Sequence, residues 1–360
     1  MSTPYRLADA LQGARNMTSL VGLQPGEQVV VWTDTRSDIE VAQAMTMACL
    51  QAGAEAATMV MRARDRASEP PPTTVAAALK HCDVFFPILH TVGYSNALFE
   101  ALAKGARLLA VSHKLEALCE EAAIFPVEIV FELCRKLFTQ WRGGRDIHIT
   151  CDRGSDFTAR IVNPQYVVGG PTGTVQPGTF EGFFGGTGDA GIWPAYSGDG
   201  VLIFDGCEQG FPEEFPLKEP LVFICKDGRV VNVKGGDAQV RYFKDLFSKH
   251  PDANLLAEIM TCVHPKARTD RTIMEATRHA GCTHVAVGTG IDRYEDPTDR
   301  TTLKDPTVVV EADGETIHVD NLMLRPTVEI DGELCVEDGE LVLLHDTEIR
   351  NMAKELGARL

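Results

Sequence analysis

The regular alternation of short apolar runs with helical stretches over residues 1–145 constrains the fold more than any other feature of the chain. Residues 7–23 have helical spacing, and Pro25-Gly26 ends them in a turn. Val29-Val30-Val31-Trp32 is too short for a helix and is bounded by turn residues, as a buried strand is. Residues 38–52 return to helical spacing, with Val41, Ala44, Met45, Ala48 and Cys49 on one side. Residues 57–61, 84–89 and 108–111 read as further strands. Residues 73–81 and 97–103 read as helices, the first introduced by Pro70-Pro71-Pro72, which cannot sit inside it. Strand, helix, strand in this rhythm predicts a doubly wound parallel sheet with helices on both faces. Residues 127–141 read as a long helix leaving this α/β, Rossmann-like domain of residues 1–145.

The texture changes near Asp146. Short β-like runs at 146–151, 157–162, 200–204, 221–225 and 230–234 are split by glycines, and Lys226-Asp227-Gly228-Arg229 is a hairpin turn signal. A mostly antiparallel α+β domain over residues 146–360 is the expectation. Within it, Gly186-Thr187-Gly188-Asp189-Ala190-Gly191 spells G-x-G-x-x-G. A dinucleotide fingerprint needs a strand before it and a helix after it, and the sequence predicts neither. A loop over an active site or a plain surface loop remain as readings of the Gly-rich stretch. Further on, 239–248, 254–260 and 272–280 read as helical, 284–287, 307–311 and 327–330 as strands, 333–335 with 341–344 as a hairpin, and 346–356 as a helix with Asp346 at its N-cap.

Two places suggest chemistry. Open parallel sheets bind ligands beyond the carboxyl ends of their strands. His90 is the first residue after the run 84–89 and is followed by Thr91, Gly93 and Tyr94. It suits a catalytic or substrate-binding imidazole; the alternative is a helix cap or a loop hydrogen bond. In Ile317-His318-Val319-Asp320 an extended chain sends His318 and Asp320 to one face. Imidazole and carboxylate together are part of a site for Zn, Mn, Fe or Co; the alternative is a strand with two polar residues facing water. Glu258, His264 and His284, all in apolar surroundings, are the candidates for a third ligand, and Glu181 is a weaker one. Glu258 is the most telling, since a glutamate among Leu256, Ala257, Ile259 and Met260 either reaches water or meets a cation.

Composition narrows the partners. Fifty-one acidic against 34 basic residues give a net charge of −17, which argues against nucleic acid and anionic membranes. No apolar run reaches the about 18 residues of a spanning helix, and the N-terminus lacks a signal-peptide pattern. Ten scattered cysteines, none in C-x-x-C, predict reduced thiols and a cytoplasmic protein.

Several blocks together resemble a known family. Leu256-Ala257-Glu258-Ile259, then His264-Pro265-Lys266-Ala267-Arg268, His284-Val285-Ala286-Val287-Gly288 and Ile317-His318-Val319-Asp320 are similar, in order, to the motifs of the thermophilic (M29) metalloaminopeptidases. Gly154-Ser155-Asp156-Phe157, Leu89-His90 and the H-x-D block also resemble the 2,5-dihydroxypyridine 5,6-dioxygenases, which share that scaffold with the 5-nitroanthranilate aminohydrolases. The resemblance implies one divalent transition metal (Mn, Fe, Zn or Co) on Glu258, His318 and Asp320. It makes His284 a further ligand in the two-metal peptidases, His90 an acid/base residue, and the protein a homo-oligomer, dimer or larger. The chain departs from both patterns. Glu258 stands where the dioxygenases have a histidine, and Phe180 where the peptidases have a glutamate, with Glu181 one residue on. The first departure weakens the 2-His-1-carboxylate set suited to O₂ chemistry, and the second removes support for a second metal. The leading expectation is a metal-dependent hydrolase of aminohydrolase type acting on a small aromatic or heterocyclic substrate such as an aminobenzoate. A ring-cleaving Fe(II) dioxygenase, a metalloaminopeptidase and a binding protein that lost its chemistry are the alternatives. Arg268, Arg271 and Arg293 are candidates to hold a substrate carboxylate.

Overall fold

Apolar runs flanked by turn residues become strands where neighbours bury them on both faces, and the first half of the chain follows that rule. The computed structural model describes residues 7–65, 69–91, 95–169, 175–178, 180–181, 189–193, 195–206, 217–250, 252–288, 294–296, 299–303, 311–312 and 315–360. The chain divides into two compact units. The first comprises Met1–Val127, Thr172–Gly186 and Tyr294–Leu303; the second comprises Glu128–Pro171, Thr187–Arg293 and Lys304–Leu360.

In the first unit, Leu7–Leu20 (α1) precedes Gln28–Asp34 (β1), Ile39–Gln51 (α2), Glu55–Met61 (β2), Thr73–Leu79 (α3), Val84–Ile88 (β3), Asn96–Ala103 (α4) and Arg107–Leu109 (β4). The strands pair in parallel in the order β2-β1-β3-β4, with Phe180–Glu181 added beside β4. β1 is buried from Val29 to Asp34 and β3 throughout, as befits the middle of a parallel sheet. The chain turns one way from β1 to β2 and the other way from β1 to β3, so the carboxyl ends of β1 and β3 flank the topological switch point.

The second unit is antiparallel, as its glycine-split runs predict. One sheet has eight strands, running from Arg229–Lys234 through Asp146–Thr150 to Glu340–Leu341. A second, five-stranded sheet has the order His318–Met323, Thr283–Gly288, Leu256–Cys262, Asp189–Ile192, Val167–Gly169. The first three of these are buried at every residue.

Three expectations need correction. Residues 254–260 are not helical: Leu256–Cys262 is a central strand, buried at all positions, so its apolar residues carry no period that separates strand from helix. The helix expected over 272–280 is only Ile273–Ala276, started by Thr272 accepting from the Glu275 N–H. It stops because Arg278 and Ala280 exchange backbone hydrogen bonds with His264 instead. The last hairpin is Glu333–Glu337 with Glu340–Leu341 only, and Val342–His345 tightens into a 3-10 turn. Asp346 does cap the final helix, Thr347–Glu355, accepting from the Glu348 and Ile349 N–H groups. Of the G-x-G-x-x-G stretch, Gly186–Gly188 lies outside the described residues, as do Gly93, Tyr94, Gly290, Arg293 and most of 307–311; a strand, Asp189–Ile192, follows where a nucleotide fingerprint needs a helix.

Candidate metal centre

Three adjacent strands of the five-stranded sheet carry the candidate ligands on one face. Glu258 lies opposite Ala286, and Ala286 lies opposite Asp320, which makes one row across the sheet. His284 precedes Ala286 by two residues and His318 precedes Asp320 by two, so both imidazoles share that face. Ala286 therefore stands between Glu258 and Asp320 in that row, with only a methyl group as its side chain. The register slips by one residue between Leu256 and Glu258. Had the pairing of Leu256 with Val287 run on, Glu258 would oppose Val285; the irregularity re-aims it at the row of donors.

The donors meet. His284 Nε2 lies 2.9 Å from Glu258 Oε1. His318 Nε2 lies 3.1 Å from Glu258 Oε2 and 3.0 Å from Asp320 Oδ1. All four side chains are buried. One ligand atom each from Glu258, His284 and Asp320 lies within 4.8 Å of the others. Buried charges persist only when paired or when they hold a cation, and oxygen and imidazole nitrogen donors at this spacing suit Zn, Mn, Fe or Co. The donor set thus fits a divalent transition metal.

Electrostatics show how tightly the groups are coupled. Burial works against the charged form of Glu258, but hydrogen bonds from His284 and His318 overcome it and hold the carboxyl well below its ordinary range. Burial disfavours the His318 cation, yet the Asp320 charge and hydrogen bond, with Glu258 behind them, push it up to about 10. His284 is raised in the same way, chiefly by Glu258 against burial.

A surrounding shell went unmarked in the sequence. Asp189, fully buried, pairs with Arg278 Nη1 at 2.6 Å. Desolvation raises its pKa, Arg278 and His284 lower it, and Glu258 and Asp320 raise it, so it feels the cluster. Cys262 Sγ stands 3.6 Å from His284 Nδ1, on the ring edge away from Glu258. The Trp193 ring lies 5.3 Å from that of His318. Gly191 is required here: a Cβ at that position would meet the Ile259 carbonyl oxygen at 1.9 Å, so only glycine lets the Asp189 strand pair beside the Glu258 strand. An Asp inside a glycine run was the only sequence signal for Asp189, and Arg278, 89 residues on, had none.

The other candidates sit elsewhere or are engaged locally. His264 Nδ1 accepts from the Lys266 N–H. Glu181 lies on the segment beside β4, and its side chain is outside the described residues. Arg268 pairs with Asp270 and Arg271 with Glu275. In the first unit, His90 follows β3, and its backbone N–H donates to Asp34 Oδ2 at 2.8 Å. Its ring meets His113 edge-on at 5.5 Å. Burial, with Lys114 and His90 adding, pushes His113 down to about 4, so it is neutral at pH 7.

The buried carboxylate–imidazole cluster on this antiparallel sheet could hold a metal ion. The chain belongs to the NicX family, described as 2,5-dihydroxypyridine 5,6-dioxygenase, whose model matches residues 9–290. That match includes Glu258 and His284 and ends before His318 and Asp320. Among solved structures, the chain is similar to the 2,5-dihydroxypyridine dioxygenase from Pseudomonas putida KT2440, with 18% identity and a TM-score of 0.71 over 94% of this chain and 98% of that one. It is also similar to wild-type AmpT from Thermus thermophilus, with 14% identity and a TM-score of 0.60 over 94% and 100%. A comparison with curated proteins gave no match. The family description and the first of these structures name oxygenation, where the sequence alone led with hydrolysis. Among the described residues no helix is long and apolar enough to cross a membrane, and nine cysteines are free thiols; Cys207 lies outside them.

Proposed function

We propose that the chain is a metal-dependent hydrolase of aminohydrolase type acting on a small aromatic or heterocyclic substrate such as an aminobenzoate. Glu258 carries this reading. It puts a second carboxylate where O₂ chemistry favours a third neutral-rich position, and it lies in contact with both imidazoles. His318, Asp320 and His284, with Glu258, would hold one divalent ion. When bound, the ion supplies a water acidic enough to react near neutral pH. Glu258, held by His284 and His318, would be one of that ion's ligands. His90 would take the water's proton and give one to the departing amine, so that a carbon–oxygen bond forms, a carbon–nitrogen bond breaks and ammonia leaves. The test is to load the purified protein with Mn, Zn or Fe(II) and to screen amino-substituted aromatic acids for ammonia release. Release by the loaded protein and not by Glu258→Ala supports hydrolysis.

One observation favours a second reading, ring-cleaving dioxygenation. The cluster contains two imidazoles, His284 and His318, beside Asp320, so a two-histidine, one-carboxylate subset is at hand even without a histidine at position 258. The family description agrees with it. Oxygen uptake with a dihydroxypyridine by protein loaded anaerobically with Fe(II), and no ammonia release, would decide for this reading.

A further inference from the structure

The strand that carries Asp189 is followed directly by an indole. Asp189–Ile192 is buried at every residue, and Trp193, the next residue, is half-buried. Its N–H donates to the Tyr166 carbonyl at 2.8 Å, so backbone pairing still fixes the chain there. Asp189 lies opposite Cys262 and Gly191 opposite Met260, so the odd-numbered residues of this strand share the face of Glu258. Ile192 lies opposite Ile259, which brings Trp193 level with Glu258 and extends the row Glu258, Ala286, Asp320 toward the Asp189 strand. The indole centroid is 5.3 Å from that of His318, with the two planes tilted by 42°. A large aromatic surface, partly in solvent, therefore stands against one donor of the candidate centre and beside another.

Small-molecule sites draw orientation from a few polar groups and contact area from apolar and aromatic walls. Glu258, His284, His318 and Asp320 are the polar groups here, and Trp193 is the flat apolar surface next to them. We propose that Trp193 is the stacking wall of the substrate site and that it selects planar aromatic or heterocyclic rings over saturated ones. This rests on the substrate class proposed above, and it holds for hydrolysis and oxygenation alike, since both act on such a ring. A ring whose reacting carbon comes to the donors lies within about one ring's width of the indole. There it gains offset stacking beyond the area it buries. A saturated ring of the same size buries similar area but has no π-face to offer. The wall acts on binding and selection and carries no proton in the reaction.

The experiment titrates the full chain, loaded with Zn(II), with benzoate and with cyclohexanecarboxylate, and reads binding by calorimetry. The two carry the same carboxylate on rings of similar size, and only benzoate has a π-face. Wild type should bind benzoate more tightly. Trp193→Leu should cut that preference by about two- to tenfold, and Trp193→Phe should keep most of it. A wall with a structural role alone would weaken both ligands alike in Trp193→Leu, and that result overturns the proposal. Fluorescence places the ligand independently. The chain has three tryptophans, and Trp32 and Trp141 are 1% and 0% exposed, so acrylamide quenches Trp193 ahead of them. Saturating benzoate should shield Trp193, and quenching unchanged by bound benzoate overturns the proposal. If wild type binds neither ligand, the aromatic substrate class falls and this inference falls with it. If wild type prefers benzoate and Trp193→Leu keeps the preference, the inference alone falls.

Discussion

His284 offers one ring nitrogen to Glu258 at 2.9 Å and turns the other toward Cys262 at 3.6 Å. The ring is held from both sides, and its orientation is fixed before any ion arrives. Ligand histidines are usually oriented through the second nitrogen in this way; here the orienting group is a thiol that burial keeps protonated.

His318→Ala and Asp320→Ala each remove a donor from a small cluster, so metal retained after dialysis should fall to a small fraction of wild type, with activity lost alongside. Elemental analysis reads this directly. His90→Ala should keep its metal and lose turnover by about 10²–10⁴-fold. Full metal content in both His318→Ala and Asp320→Ala would show that the ion sits elsewhere.

Asp189 and Arg278 form a buried pair, so removing one partner strands the other. Asp189→Ala should cost about 3–5 kcal/mol in denaturant unfolding, whereas Asp189→Ala with Arg278→Met should recover much of that loss. If the double variant is no better than the single one, the pair is not coupled.

His113 sets an acid limit in the first unit. Its folded pKa of about 4 lies below the ordinary 6.5 of the unfolded chain, so between those values the unfolded state binds more protons. Stability from this group is therefore complete above pH 6.5 and declines as pH falls toward 4, by about 3 kcal/mol at most. Unfolding midpoints of wild type and His113→Gln should converge or cross over that interval. Parallel pH profiles would show that the imidazole does not titrate this way.

Gly191→Ala forces a methyl group against the Ile259 carbonyl. Because Ile259 adjoins Glu258, the strain should appear twice: as about 1–3 kcal/mol of lost stability and as weaker metal retention. Lost stability with unchanged metal affinity would mean that the strand relaxes without moving Glu258.

Much of this was legible in the sequence, for physical reasons that differ by residue. The parallel sheet showed because Val29–Trp32 and residues 84–89 are unbroken apolar runs between turns, as strands buried on both faces must be. His318 and Asp320 showed because their two-residue spacing is itself the geometry of one strand face. Glu258 was singled out for its apolar neighbours but set on a helix. Total burial of Leu256–Cys262 erases the alternation that marks a strand, and only pairing on both sides decides it. Asp189, Arg278 and Cys262 were invisible as partners because what joins them to the cluster is strand pairing across many residues, and no local pattern records that.

The row Glu258, Ala286, Asp320 draws on three separate strands, and His284 and His318 stand two residues from its members. The donors meet only once these strands have paired, so an ion would be taken up late in folding, and its withdrawal by a chelator should loosen the antiparallel sheet to proteolysis.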